Sequence, residues 1–226
     1  MKYNLPKQYL SYSQLDLWQK NKDQYRARYY LNGPSFENTE TIFGKKIASF
    51  LERLSAKKEW GERELKKIGV TRDEYLYLKK VKKFKYSEYR IEIEVGGVPF
   101  LGVMDTFSKH FRRIGEFKTG KEPWNDVRVR KHQQLVVYSL LVKSKFRKVD
   151  PWVKLIWLQT EYKPVMDTIG SITCERESNE LSFTGLKPQI FKRRIAEWER
   201  KKMKETIQRV AQEISDDFTQ FQIYER

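Results

Sequence analysis

Asp105, Glu116 and Lys118 are the residues of this sequence whose types and spacing could do chemistry. Glu116 and Lys118 are two apart, so in an extended strand both side chains leave one face, about 7 Å from each other. Asp105 closes an apolar run containing Val98, Phe100, Leu101, Val103 and Met104, and a turn after it lets the next strand return alongside. Two carboxylates and a lysine on one surface suit phosphodiester hydrolysis. The acids can hold a hard divalent cation through oxygen, the cation lowers the pKa of a bound water, and the lysine steadies the water or the charge developing on phosphorus. A Glu-x-Lys pair alone is ordinarily a solvated strand face. Here it has company: Ile114 precedes it, Thr119-Gly120 ends it with a turn, and Gln134-Leu-Val-Val-Tyr138 opens an apolar helix downstream.

The rest of the chain must position these groups. Residues 1–10 read as a loosely attached arm. Ser11 or Ser13 can cap a helix to about Tyr30, stopped by Asn32-Gly33-Pro34-Ser35. Its Trp18, Tyr25, Tyr29 and Tyr30 read as core and rim aromatics ahead of base-stacking groups. A second helix over Glu40–Leu54 carries one notable polar residue, Glu52, which fits a surface glutamate as well as a ligand. The charged stretch from Lys57 to Phe84 looks helical, with a capping-box start at Thr71-Arg-Asp-Glu74. Tyr89–Val95 alternates strictly, as a strand with one buried face does, and Gly96-Gly97 supplies a two-residue hairpin turn into the strand ending at Asp105.

After the Glu-x-Lys strand, Lys121–Lys131 reads as a basic loop with Trp124 inside it. A helix then runs over Lys131–Lys145, with Gln134 and Tyr138 on one face. Pro151–Gln159 is almost continuously apolar, the pattern of a strand covered on both faces. Met166–Phe183 can form one or two edge strands. A final helix is expected over Pro188–Phe218, basic through Lys192, Arg193, Arg194, Arg200, Lys201, Lys202 and Lys204. Its packing side would be Ile190, Ile195, Trp198, Ile207, Val210 and Ile214.

As an ordered set, Gly102-Val-Met-Asp105, Glu116-Phe-Lys118-Thr119-Gly120 and Gln134-Leu-Val-Val-Tyr138 resemble the PD-(D/E)XK nucleases, in particular their RecB-type, lambda-exonuclease-like branch. Ser11–Trp18 with Tyr25 and Tyr29, and Phe43-Gly44 to Glu52, look like that branch's first two helices, so the resemblance spans roughly residues 11–160. It implies an α/β, restriction-endonuclease-like core: a small mixed β-sheet flanked by helices, forming one domain over 1–226 with a C-terminal strand and basic helix beyond about 160. It further implies one or two Mg²⁺ or Mn²⁺ ions on Asp105, Glu116 and the backbone carbonyl of Phe117. Lys118 would orient or polarise the water, Gln134 and Tyr138 would hold the strand or position the lysine, and the product would carry a 5′ phosphate. One departure stands out. Where the branch often has a helix histidine four residues after its glycine, this chain has Ala48, and its two histidines, His110 and His132, lie elsewhere. Glu52, one turn on, is the substitute ligand to consider.

Composition bounds the setting. The 226 residues suffice for a sizeable core, and 39% hydrophobic with 14% aromatic residues argues for a folded globule. A net charge of +16 and a pI near 9.7 predict affinity for polyanions, nucleic acid first among them. Phosphate contacts are expected from Lys121, Arg128, Arg130 and Lys131 beside the active strand and from Lys192, Arg193, Arg194, Lys201 and Lys202. No apolar run reaches the length of a membrane span. One cysteine, Cys174, excludes a disulfide framework and the four-cysteine iron–sulfur cluster of some relatives, and points to an intracellular, cytoplasmic or nucleoid-associated setting, phage- or virus-encoded chains included. The expected activity is a metal-dependent DNA nuclease, an exonuclease by resemblance, acting in processing, recombination or repair on single- or double-stranded DNA. Duplex opening would come from a helicase or recombinase partner or from a homo-oligomer. The competing readings are an inactive nuclease fold that only binds nucleic acid, favoured by Ala48, and an assembly factor for an acidic protein.

Overall fold

The structure, a computed structural model, describes residues 3–34, 37–56, 60–81, 86–169 and 172–224. Ser35 and both ends of the charged 57–84 stretch lie outside the described residues. In chain order the elements are β1 (Leu10–Ser11), α1 (Tyr12–Lys20), α2 (Lys22–Tyr29), α3 (Thr39–Ala56), α4 (Glu62–Lys67), α5 (Arg72–Lys80), β2 (Tyr86–Val95), β3 (Val98–Phe107), β4 (Arg113–Gly120), α6 (Asp126–Lys131), α7 (Gln133–Lys145), β5 (Trp152–Ile169), β6 (Ile172–Phe183), β7 (Gln189–Arg194) and α8 (Glu197–Tyr224).

The seven strands form a mixed sheet running β1-β3-β4-β5-β6, with β2 on β3 and β7 on β5. Gly96 and Gly97 both take positive φ, which makes the tight turn that returns β2 into β3 with Val95 opposite Val98. β4 lies parallel to β5, Glu116 beside Leu155, so its neighbour is the apolar strand read from Pro151–Gln159. That run is buried on both faces. On one side Val153, Leu155 and Trp157 lie against α7 and join a core shared with Trp18, Tyr25, Leu141, Val210 and Ile214 of α1, α2, α7 and α8. The other packs on α3–α5 through Phe50, Leu54 and Leu78, with Ile156 and Leu158 beneath them. β3 meets α7 closely: a Cβ on Gly102 would sit 2.2 Å from Leu141 Cδ1, so any side chain there must displace the Leu141 side chain.

Several expectations are corrected. The final helix does not begin at Pro188. Gln189–Arg194 is a strand in register with Trp152–Trp157, and Lys192, Arg193 and Arg194 sit on it. The reason is that the first half of β5, buried and apolar at Val153 and Leu155–Leu158, has β4 on one edge and needs a neighbour on the other, and the helix starts only where Glu199 accepts the Ala196 N–H at 2.9 Å. Ile190 and Trp198 are consequently exposed, while Ile195, Ile207, Val210 and Ile214 are core as expected. The N-terminal arm is not loose: Leu5 and Leu10 are buried, the backbone N–H of Asn4 donates to Ser215 Oγ at 2.9 Å, and Leu10–Ser11 pairs with Phe100–Leu101. The first helix is two helices, because Asn21 leaves the helical region (φ −157°) and its side chain caps α2 through Gln24 N–H. The basic loop contains α6, capped by Asn125 on Arg128 N–H. Trp18, Tyr25 and Tyr30 are core, and the Thr71–Glu74 capping box forms on both sides.

Candidate active site

β3 and β4 pair at Thr106–Gly115 and Phe107–Ile114, at the end where the turn joins them. Beyond it the Phe117 N–H goes to the Asp105 carboxylate (Oδ2, 2.9 Å). A side chain thus replaces a ladder bond, and a cleft opens where the two strands part. Thr106–Gly115 pairing and this bond fix Asp105 against Glu116, which is 4% exposed.

Both carboxylate oxygens of Glu116 belong to one network. Lys118 Nζ donates to Glu116 Oε1 at 2.6 Å and to Gln134 Oε1 at 2.9 Å. Gln134 Nε2 donates to Tyr138 Oη at 2.7 Å. Tyr138 Oη lies 2.9 Å from Glu116 Oε2 and 2.6 Å from the carbonyl of Val103, its one proton serving either acceptor. Gln134 and Tyr138 are one helical turn apart on α7, which is why the Gln-x-x-x-Tyr spacing delivers both to the same carboxylate. The structure therefore brings together all five of the residues expected to act on substrate: Asp105, Glu116, Lys118, Gln134 and Tyr138.

The electrostatics follow from crowding. Burial, then the neighbouring Glu116, hold the Asp105 carboxyl well above the usual carboxylate range, against the Phe117 N–H and Lys118, which favour its charge. Burial and the same two acids push the Tyr138 hydroxyl well up, so it stays a proton donor. Two carboxylates held this close are relieved by a cation. The donors present, two carboxylates and the Phe117 carbonyl between Glu116 and Lys118, are all oxygen and suit a hard divalent ion. Among the described residues no three His, Cys, Asp or Glu side chains converge to hold a metal ion.

Asp105 also faces a cavity of about 210 Å³ with Ala48, Glu52, Glu88 and Phe117 in its wall. Glu52 thus lies across the cavity from Asp105 without joining the acid pair. Its partner is Glu88, whose carboxyl is raised by a hydrogen bond to Glu52 and by partial burial. Glu88 was invisible in the sequence: it stands just before the alternating run, and only its left-handed backbone (φ 53°) turns it off the strand pattern. Tyr12 was also missed. Its hydroxyl accepts the Gln134 N–H and is pushed up to about 12 by burial, with Asp16 and Glu116 adding. If Glu52 takes the missing histidine's part, Glu52→Gln raises the Mg²⁺ concentration for half-maximal cleavage severalfold with an unchanged melting temperature. An unshifted metal titration returns Glu52 to a structural role.

The basic residues divide into two groups. Lys121 lies over the Tyr162 ring at 4.4 Å, Arg128 over Trp124, and Lys131 is exposed at the end of α6 beside the start of α7. The carbonyl of Arg130 accepts from Arg193, which is also paired with Glu199. Arg194 pairs with Asp150 at 2.9 Å, and the buried Arg200 bonds Ser139 and Asp150, so it ties α8 to α7. Lys192, Lys201 and Lys202 are exposed.

The profile of the PD-(D/E)XK nuclease superfamily matches residues 9–226. The chain belongs to this superfamily. A solved structure named "Putative exonuclease", from Eubacterium rectale, is similar at 14% identity with a TM-score of 0.53, over 92% of this chain and 83% of that one. That likeness is one of fold. No curated protein matches the sequence. Nucleases of this superfamily generally use divalent metal ions, in keeping with the all-oxygen donor set. No helix among the described residues is long and apolar enough to cross a membrane.

Proposed function

We propose that this nuclease hydrolyses phosphodiester bonds in DNA with a Mg²⁺ or Mn²⁺ ion held by Asp105, Glu116 and the Phe117 carbonyl, and that it acts as an exonuclease. The observation that carries the reading is the single network joining Glu116, Lys118, Gln134 and Tyr138, with Asp105 held beside Glu116 by the Phe117 N–H at the mouth of the parted strands. The ion, when bound, supplies Lewis acidity toward the scissile phosphate and its attacking water. The protein's own groups do the rest. Lys118 has three N–H bonds, two committed to Glu116 and Gln134, so the third is directed at the water or a phosphate oxygen. Gln134 fixes that ammonium in place of solvent, which keeps it aimed before the substrate arrives. Tyr138, protonated, holds Glu116 in the orientation that leaves its carboxylate turned to the Asp105 side.

The protein incubated with end-labelled linear and closed circular DNA, with Mg²⁺, Mn²⁺ or EDTA, tests this. Linear DNA is shortened from its ends with either metal, circular DNA persists, and EDTA abolishes the reaction. Binding without cleavage under all conditions overturns the reading in favour of a fold that only binds, the alternative that Ala48 supports. Phosphate contacts come first from Arg130 and Lys131, which are exposed beside α7, with Lys121 and Arg128 flanking them, while Arg193 and Arg194 are held by Glu199 and Asp150. Neutralising Lys192, Lys201 and Lys202 together flattens the slope of log affinity against log salt by about 0.9 for each duplex phosphate these lysines neutralise. An unchanged slope assigns the DNA path to the α6 side alone.

A further inference from the structure

At the start of α7, next to the Lys118–Gln134 contact, lies a second cavity of about 530 Å³, within the size range of roughly 300–1,000 Å³ typical of small-molecule sites. Tyr12, Lys20, Trp124, Arg128, Lys131 and His132 line it. Its walls are flat and π-faced. The Trp124 and His132 rings are stacked, 5.2 Å apart and 21° from parallel. The Arg128 guanidinium lies 4.3 Å over Trp124, held there by donating to the carbonyls of Glu122 (3.4 Å) and Pro123 (3.3 Å). Tyr12 stands 6.4 Å from His132 at 54°. The acid in the wall, Asp16, is paired with Lys20 at 2.8 Å.

His132 adds a polar edge. Burial, with the cations of Lys118, Arg128 and Lys20 around it, pulls its pKa down to about 3, so the ring is neutral. Its Nε2 is buried without a hydrogen-bond partner among the described residues. The cavity adjoins the reaction centre: Gln133 lines it, and Gln134, the next residue, accepts from Lys118 through its side chain and bonds the Tyr12 hydroxyl through its backbone N–H.

Stacking surfaces and cations at the rim are what a nucleotide requires. We infer that this cavity seats one unpaired nucleobase of the substrate strand, stacked on the Trp124–Arg128–Tyr12 surfaces with its phosphate on Lys20 and Lys131. A base inside a duplex cannot present its face to a protein wall. The strand entering the site is therefore single, either as free single-stranded DNA or as a frayed duplex end. This rests on the nuclease reading above for the identity of the strand, and the test is chosen to stand apart from cleavage.

The probes are a fluorescent dT decamer and an abasic decamer of the same length and charge, bound in EDTA and read by polarisation. Base stacking contributes about 1–3 kcal/mol per base, so the parent binds the dT decamer at least about fivefold more tightly than the abasic one. Trp124→Leu removes that preference, so that both probes bind the variant alike. Equal binding of the two probes by the parent overturns the inference, as does a preference that survives in Trp124→Leu. Should that variant fail to fold, ultraviolet crosslinking of a 5-iododeoxyuridine decamer to the parent decides: an adduct on Tyr12, Trp124 or His132 supports the pocket, and an adduct elsewhere overturns it. A preserved base preference in a protein that cuts no DNA with metal leaves the pocket standing and fails the nuclease reading, so the two can be told apart.

Discussion

Replacing Asp105 or Glu116 by Ala lowers DNA cleavage by about a thousandfold or more, the scale of loss when a central electrostatic group leaves an active site. Each carboxylate carries half of the charge that would hold the cation, and neither has a substitute. Glu52, the further acid in the adjoining cavity, does not converge with them. Asp105→Asn is the cleaner variant of the two at that position, because an amide oxygen can still accept the Phe117 N–H that keeps the strands apart. It also separates catalysis from stability. A carboxyl held above its unfolded value stabilises the fold below the ordinary carboxylate range and loses that contribution as pH rises. The metal-free Asn variant, free of that loss, melts no lower than the metal-free parent at neutral pH while its cleavage is gone. Full activity in a folded Asp105 or Glu116 variant would sink the site.

Lys118→Ala abolishes cleavage and leaves DNA binding within about twofold of the parent. The ammonium meets one phosphate among many, whereas affinity comes from counterion release along the whole strand. Its loss has a structural cost as well: the buried Glu116 and the half-buried Gln134 each lose a partner, which costs about 1–3 kcal/mol for a buried group left unsatisfied. Lys118→Arg distinguishes the two effects. It keeps the charge but offers a planar fork in place of a compact ammonium, so it restores folding stability better than turnover. Binding that falls in parallel with cleavage would make Lys118 a docking residue only.

Much of this site was legible because it depends on short spacings. Glu116 and Lys118 share a face at any strand position, and Gln134 and Tyr138 share a face on any helix, so local periodicity alone brings each pair together. The hairpin at Gly96-Gly97 and the apolar Pro151–Gln159 strand were legible for the same reason. What depended on long-range pairing was not. Gln189–Arg194 carries helix-tolerant residues and becomes a strand only because Trp152–Trp157 offers an open edge. The N-terminal arm is fixed by Asn4 and Leu5 against α8, more than two hundred residues along the chain (separation 211 for Asn4 to Ser215). The role of Arg200 in joining α8 to α7 was hidden inside a basic run that composition assigns to solvent. Glu88 and Tyr12 reach the site by a left-handed backbone turn and a helix start, neither of which has a sequence period.

Calorimetric titration of Mn²⁺ into metal-free parent and Asp105→Asn, in two buffers of different ionisation enthalpy, tests the central claim most directly. The parent takes up Mn²⁺ and releases protons, because the cation must displace the proton that burial and Glu116 favour on Asp105. Asp105→Asn binds at least about tenfold more weakly and releases none, as expected when half of a two-carboxylate site is neutralised. Equal Mn²⁺ affinity in the two proteins, with no buffer dependence in either, would contradict the account.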